Sequence, residues 1–410
     1  MQNKEEHFIP IGRDKLLECL PEFDKCSEPD RKQLIQLFDL LSSTLHAQYH
    51  SEQIRIQRLY QPLDPDSVLI FKEDANKDSS EVFRQVKEIL RNANYRKLPA
   101  GELETAVENA TALGLRMKVN FSLFEELHVY GRGDETETWT KKSWWKLFKE
   151  EKFDVKVFQR LIIAFRLKEH EELPKGQSSS FVYLKSFKGI PHSDLHTLLP
   201  GTQVKMSLFD RGKIIIPALS GLVMSVVKIV RLVVAVTIFA TLAQFIKYWV
   251  IPAAVIYYII KGFLSYKKTK DKYQLNLTKH LYFQNLDNNS GVLLRILNEA
   301  ELQDYREMVI AYYVLWRFGN TGMRSEKIGE IAEKQLLETI NQKIDFEVDD
   351  ALENLESFKL IYKEEDLWFP LTANDSMNEL NKGLRKSTPF RPPPLRPKGG
   401  FKALQPKENS

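Results

Sequence analysis

Apolar positions spaced three and four residues apart dominate the first part of the chain. Leu34, Leu37, Phe38, Leu41 and Leu45 fall on one face of a helix predicted over 24–59, with Ser27 and the Glu28–Pro29 pair at its start. Residues 79–93 and 100–113 read as further helices. The period then changes to two. Residues 118–130 and 153–167 alternate β-branched and aromatic residues with polar ones and predict strands. Another strand is predicted over 180–187, before a turn at Gly189–Pro191.

From Ile214 to Leu264 the pattern is nearly continuous in apolar residues, broken by Lys228, Arg231 and Lys247. A bilayer crossing takes about 20 apolar residues, so the stretch predicts two membrane-spanning helices, near 214–240 and 248–264. Arg211 and Lys213 precede it, and Lys267, Lys268, Lys270 and Lys272 follow. Basic flanks mark the cytoplasmic side, which favours an even number of crossings. Lys228, Arg231 and Lys247 would then be intramembrane charges.

Helical periodicity returns at 293–318, as a long amphipathic helix, and at 325–341 and 347–358, with Ser325 as a cap. Leu360–Tyr362, the acidic turn Glu364–Asp366 and Leu367–Leu371 predict a β-hairpin. Three helices followed by a hairpin is the order of a winged helix. From Lys386 the chain is Pro-rich and basic, the composition of a disordered tail. The fold class expected is an α+β N-terminal domain, a transmembrane helical hairpin, a mostly helical winged-helix-like C-terminal domain and a disordered tail. The corresponding boundaries are 1–205, 206–268, 269–384 and 385–410.

Composition sharpens this little. The 410 residues carry a net charge of +4, too small to imply a polyanion partner from charge alone. Cys19 and Cys26 are too few for a disulfide scaffold or a Cys-rich zinc module. Met1–His7 is polar and acidic, with neither a secretory h-region nor an Arg-rich transit segment behind it.

Candidate chemistry is sparse. Between residues 325 and 358 ten acids stand against three bases, so the winged helix would repel phosphates. Nucleic acid is therefore not expected as a partner, and Asp349, Asp350 and Glu353 become candidate protein contacts. Trp139, Lys142, Trp144, Trp145 and Lys146 lie in a segment that mixes Trp with Lys, a composition suited to a core plug, to a lipid interface or to stacking on bases with Lys on phosphates, of which the lipid interface is the better functional reading. Arg391, Pro394 and Pro397 in the tail form a basic-x-x-Pro-x-x-Pro pattern that docks aromatic grooves. His46 with His50, and His192 with His196 around Asp194, have helical spacing but no completing ligand. Tyr130-Gly-Arg-Gly133 is a fragment of a phosphate loop without its Lys-Ser/Thr ending. No metal or cofactor is expected.

Three groups of residues carry a family resemblance: Phe8-Ile-Pro10, Leu59-Tyr-Gln-Pro62 with Asp64-Pro65, and 182–191 (VYLKSFKGIP) running into Leu198-Leu-Pro200. With the apolar stretch and 346–355 (FEVDDALENL), they resemble the family of domain of unknown function 3754, which has mitochondrial members. The resemblance implies a membrane-anchored protein with soluble segments on both sides of a hydrophobic pair, and it implies no catalytic residue. Lack of a transit segment points to a version in a bacterial plasma membrane, with both soluble domains cytoplasmic. Three functions are open. One is a membrane-anchored scaffold or regulator that recruits a protein partner or a second copy. Another is an enzyme of unrecognised type using His192, Asp194 or Arg132. The third is a small oligomeric channel or transporter.

Overall fold

The computed structural model describes residues 6–20, 22–68, 79–99, 101–102, 116–143, 149–170, 176–200, 203–205 and 283–387, with single positions at 227, 231, 253, 256, 257, 260, 261 and 264. In chain order its elements are α1 (Arg13–Leu16), α2 (Glu28–Tyr60), α3 (Ser80–Asn92), β1 (Arg96–Lys97), β2 (Arg116–Lys118), β3 (Phe124–Ser143), β4 (Lys149–Leu167), β5 (Val182–Pro191), β6 (Gln203–Lys205), β7 (Asn285–Asn288), α4 (Ser290–Phe318), α5 (Ser325–Ile340), α6 (Val348–Ser357), β8 (Ile361–Glu364), β9 (Leu367–Pro370) and α7 (Ala373–Ser387). Two compact units result, Met1–Glu52 with Glu301–Ser410, and Gln53–Ala300.

The first unit closes the chain's beginning onto its end. The Ser27 hydroxyl accepts from the Asp30 amide at 3.3 Å and donates to Asp30 Oδ2 at 2.7 Å, capping α2 at the position its sequence predicts. The apolar face of α2 is buried, and Phe38 meets the Tyr312 ring edge-on at 6.1 Å. On α4 every residue from Gln303 to Leu315 is buried, so this stretch is not amphipathic but central. The N-terminal segment crosses it: Ile9 N–H donates to Gln303 Oε1 at 3.3 Å, and the Asp345 amide donates to Glu6 O at 2.9 Å. Helix α5 begins at Ser325 and ends on Asn341, whose left-handed backbone lets its N–H reach Leu337 O at 3.0 Å. The β8–β9 hairpin gains a third partner, because Met323 and Trp368 exchange amide–carbonyl bonds of 3.0 and 2.8 Å.

In the second unit the sheet order is β1-β3-β4-β5-β7, antiparallel throughout. Phe158, Leu161, Ile163, Phe165, Tyr183 and Phe187 belong to its main core cluster. Strands β3 and β4 stay paired from Phe124–Leu167 out to Ser143–Lys149, whereas β5 joins β4 only at 157–166. Among the described residues, the outer parts of β3 and β4 therefore continue beyond the sheet as a two-stranded arm.

One major expectation is corrected. Among the described residues no helix is long and apolar enough to cross a membrane. The transmembrane hairpin, and the plasma-membrane location that rested on it, are replaced by an α+β fold with a five-stranded antiparallel sheet. Most of 206–268 lies outside the described residues. Apolar run length does not say what covers the run, and the longest described one, on α4, is covered by protein. The helix predicted over 100–113 and the tail from 388 also lie largely outside the described residues, and the turn expected at Gly189–Pro191 is instead the end of β5.

Candidate functional site

A groove of about 700 Å³ runs over the first unit. One wall is α2, through Thr44, Gln48 and Ser51. The other is α7, through Leu380 and Lys382, and Phe358 and Lys359 close it beyond the end of α6. The local reasons are plain. On α2 the apolar positions turn inward and leave small or polar residues along the groove. Helix α7 starts where Thr372 Oγ1 accepts from the Asp375 amide at 3.2 Å and donates to Asp375 Oδ2 at 2.7 Å. Glu379 then holds Lys382 at 2.6 Å along the rim. The floor is apolar at Leu380, the walls are polar, and charges of both signs stand at the edges.

Helix α6 leads into this groove. Its inner face buries Ala351, Leu352 and Leu355, and its outer face exposes Asp349, Asp350, Glu353 and Glu356. The predicted partner contacts Asp349, Asp350 and Glu353 thus lie together on one exposed helical face. Close by, Tyr49 donates to the buried carboxyl of Asp304 at 2.6 Å. Burial pushes Asp304 up to about 7; the Tyr49 bond opposes that rise and the Asp350 charge adds to it.

In the second unit the charged groups hold structure together. Arg132 lies over the Tyr95 ring at 4.4 Å, donates to Ala93 O at 2.9 Å and pairs with Glu299 at 3.0 Å, while Tyr95 donates to Glu299 at 2.7 Å. The flanking glycines are explained by β4. A Cβ on Gly131 would sit 2.7 Å from the Phe158 ring, and one on Gly133, at φ +72°, would sit 2.6 Å from Gln159. The Tyr130–Gly133 fragment is thus a strand crossed closely by its neighbour. His192 stacks on Phe158 at 3.9 Å and approaches Asp134 at 3.4 Å.

A second polar cluster explains the 59–65 segment. Tyr60 donates to Val182 O at 2.8 Å and to Asn289 Oδ1 at 3.4 Å. Asn289 donates to Asp66 at 2.6 Å, and Ser290 donates to Asp64 at 2.5 Å. Burial, reinforced by Asp64 and Asp66, pushes the Tyr60 phenol far above its ordinary range. These bonds fix the start of α4.

The other expected residues are scattered. Trp139 and Lys142 lie on β3 in the arm, opposite Phe153 and Glu150; Trp144, Trp145 and Lys146 lie outside the described residues. Arg231 is exposed, while Lys228, Lys247, Arg391, Pro394 and Pro397 fall outside. His46 and His50 stack at 6.5 Å, with His46 against Glu301 at 3.1 Å. Among the described residues no group of three His, Cys, Asp or Glu side chains could hold a metal ion. Sequence reasoning missed the groove because it missed α7, although Thr372-x-x-Asp375 before Leu380 and Leu384 is a readable helix start.

Residues 124–291 match the family described as protein of unknown function (DUF3754). That range holds strands β3, β4, β5, β6 and β7 and ends on the first turn of α4. No solved structure matches the chain.

Proposed function

We propose that the protein is a protein-binding scaffold that receives a segment of a partner in the groove between α2 and α7. The observation that carries this reading is the groove itself. It is an open channel of about 700 Å³ with an apolar floor and charged edges, built from three separate stretches of the chain. Such a lining suits a peptide, whose backbone and side chains need both polar and apolar contacts. The acidic face of α6 adds direction. Ser357, the last residue of α6, lines the groove, and the helix spans only about 15 Å, so basic side chains flanking a seated segment fall within reach of Asp349, Asp350 and Glu353.

Ser51 is exposed, so Ser51→Trp fills the groove without entering the core. Cross-linked complexes of the full chain are to be isolated from its native cells, alongside this variant and Asp349→Lys/Asp350→Lys. A discrete partner held by the native chain, lost with the first variant and weakened by the second, supports the proposal. A native chain that holds no protein, or holds the same one equally in all three forms, overturns it.

A further inference from the structure

Three neighbouring strands of the second unit place bases directly opposite one another. Arg132 on β3 pairs in register with Arg160 on β4, and Arg160 pairs with Lys188 on β5. Residues paired in this way share one face of a sheet, with Cβ atoms about 5 Å apart, and like charges so placed repel. A row of three is a cost to the fold unless negative charge lies over it.

The chain itself supplies one such charge. Glu299 on α4 meets Arg132 at 3.0 Å, and Tyr95 donates to the same carboxylate at 2.7 Å. Arg132 also donates to Ala93 O at 2.9 Å and is buried, so it is anchored at the inner end of the row. Arg160 lies on the same side, for its charge and that of Arg132 both act on the Tyr95 phenol. Its guanidinium donates to Gln159 O at 3.0 Å, which takes one of its five N–H groups. Among the described residues Arg160 meets no carboxylate, and neither does Lys188. Two further acids stand near in register and are already engaged. Asp287, opposite Ser186, holds Arg295, and Asp134, opposite Phe158, has Arg96 and His192 beside it. Exposure rises along the row, from buried Arg132 through half-buried Arg160 to exposed Lys188.

Three bases against Glu299 leave two positive charges on this face. A carboxylate ligand would balance only one of them. A phosphate monoester carries about −1.5 to −2 charges at neutral pH and three strong acceptor oxygens. A guanidinium fork binds such oxygens in pairs, and an ammonium adds a compact point charge. We propose that Arg160 and Lys188 form a binding site for a phosphate group, with Arg132 beneath them adding to its positive field. The group is carried by a soluble phosphorylated molecule or by a phospholipid headgroup, which offer the same oxygens. The site is in the second unit and does not depend on the groove.

The test titrates the full chain with inorganic phosphate in a calorimeter, at constant ionic strength with chloride as the balancing ion and acetate as the singly charged control. The native chain is expected to bind phosphate at least ten-fold more tightly than acetate. Arg160→Gln and Lys188→Gln are each expected to weaken phosphate binding at least ten-fold. Lys168→Gln, which changes an exposed base just past the far end of β4, is expected to leave it unchanged. Phosphate should also raise the Tm of the native chain but not that of Lys188→Gln. Because Lys188 is exposed, its variant carries the test even if Arg160→Gln loses its native circular dichroism. Vesicles of phosphatidylcholine with about one-fifth phosphatidic acid separate the two sources. A native chain that sediments with them, when Lys188→Gln does not, supports the proposal with a headgroup as ligand. Phosphate binding without sedimentation supports it with a soluble ligand. A native chain that binds neither, one that holds acetate as tightly as phosphate, or a Lys188→Gln chain that binds phosphate as tightly as the native one would each overturn it.

Discussion

The hydroxyl of Tyr49 on α2 donates to Asp304 Oδ2 on α4 at 2.6 Å, joining residues 255 positions apart inside the first unit. Burial holds this carboxyl neutral up to about pH 7. The sign of its pH effect follows. The folded chain keeps a proton that the unfolded chain releases near pH 4, so stability is greatest below pH 4 and declines as pH rises to about 7. Over that window the loss is up to about 4 kcal/mol. Asp304→Asn is expected to flatten the fall in Tm between pH 5 and pH 8, read by thermal denaturation. Asp350→Asn is expected to end the fall at lower pH, by removing a charge that raises Asp304. Equal slopes in native and Asp304→Asn chains would assign the effect to another group.

Arg132 and Glu299 stand or fall together. Arg132 is 5% exposed and Glu299 14%, so removing one leaves the other charged with little water. Arg132→Met is expected to cost about 3–5 kcal/mol. In the double variant Arg132→Met/Glu299→Gln, less of that cost should remain than the sum of the single variants predicts. Urea unfolding of the four chains gives the coupling directly.

Asn289 combines a left-handed backbone, φ 49°, with side-chain bonds to Asp66, Leu184 N–H and Tyr60. Tyr60→Phe removes one hydroxyl and is expected to cost about 1–2 kcal/mol. Asn289→Ala loses more, about 3 kcal/mol, through bonds and backbone together. Asn289→Gly should recover about 1 kcal/mol of that, since glycine accepts the positive φ. A glycine variant no better than the alanine one would mean the bonds alone matter.

Gly131 leaves room for Phe158, whose ring also carries His192. Gly131→Ala forces that ring to move and is expected to cost about 1–3 kcal/mol. The His192 ring should report the shift in its proton spectrum. In Gly131→Ala/Phe158→Leu the two costs should add to less than their sum, because leucine vacates the space the new methyl needs.

Much of the local structure was legible. Ser27 starts α2 because its hydroxyl satisfies an end amide, and that needs only residues three apart. The hairpin at 361–370 and a helix over 325–340 were readable too, although Ser325 is not its cap: Arg324 stands at the cap position and no side chain caps that end. The groove was not, for its walls come from residues near 48 and near 380, and no sequence period links them. Nor was the arm, because 139–152 is too polar to announce a strand and is extended by its partner's register.

The sequence by itself determined the periodic elements and their starts, since caps, turns and amphipathic faces act over a few residues. The tertiary structure decided the rest. It set Ile9 against Gln303, buried α4 on all sides from Gln303 to Leu315, gave Asp304 its raised pKa and joined 1–52 to 301–410 in one unit. Those outcomes depend on which distant surfaces exclude water from each other, and an apolar run reads alike whatever covers it.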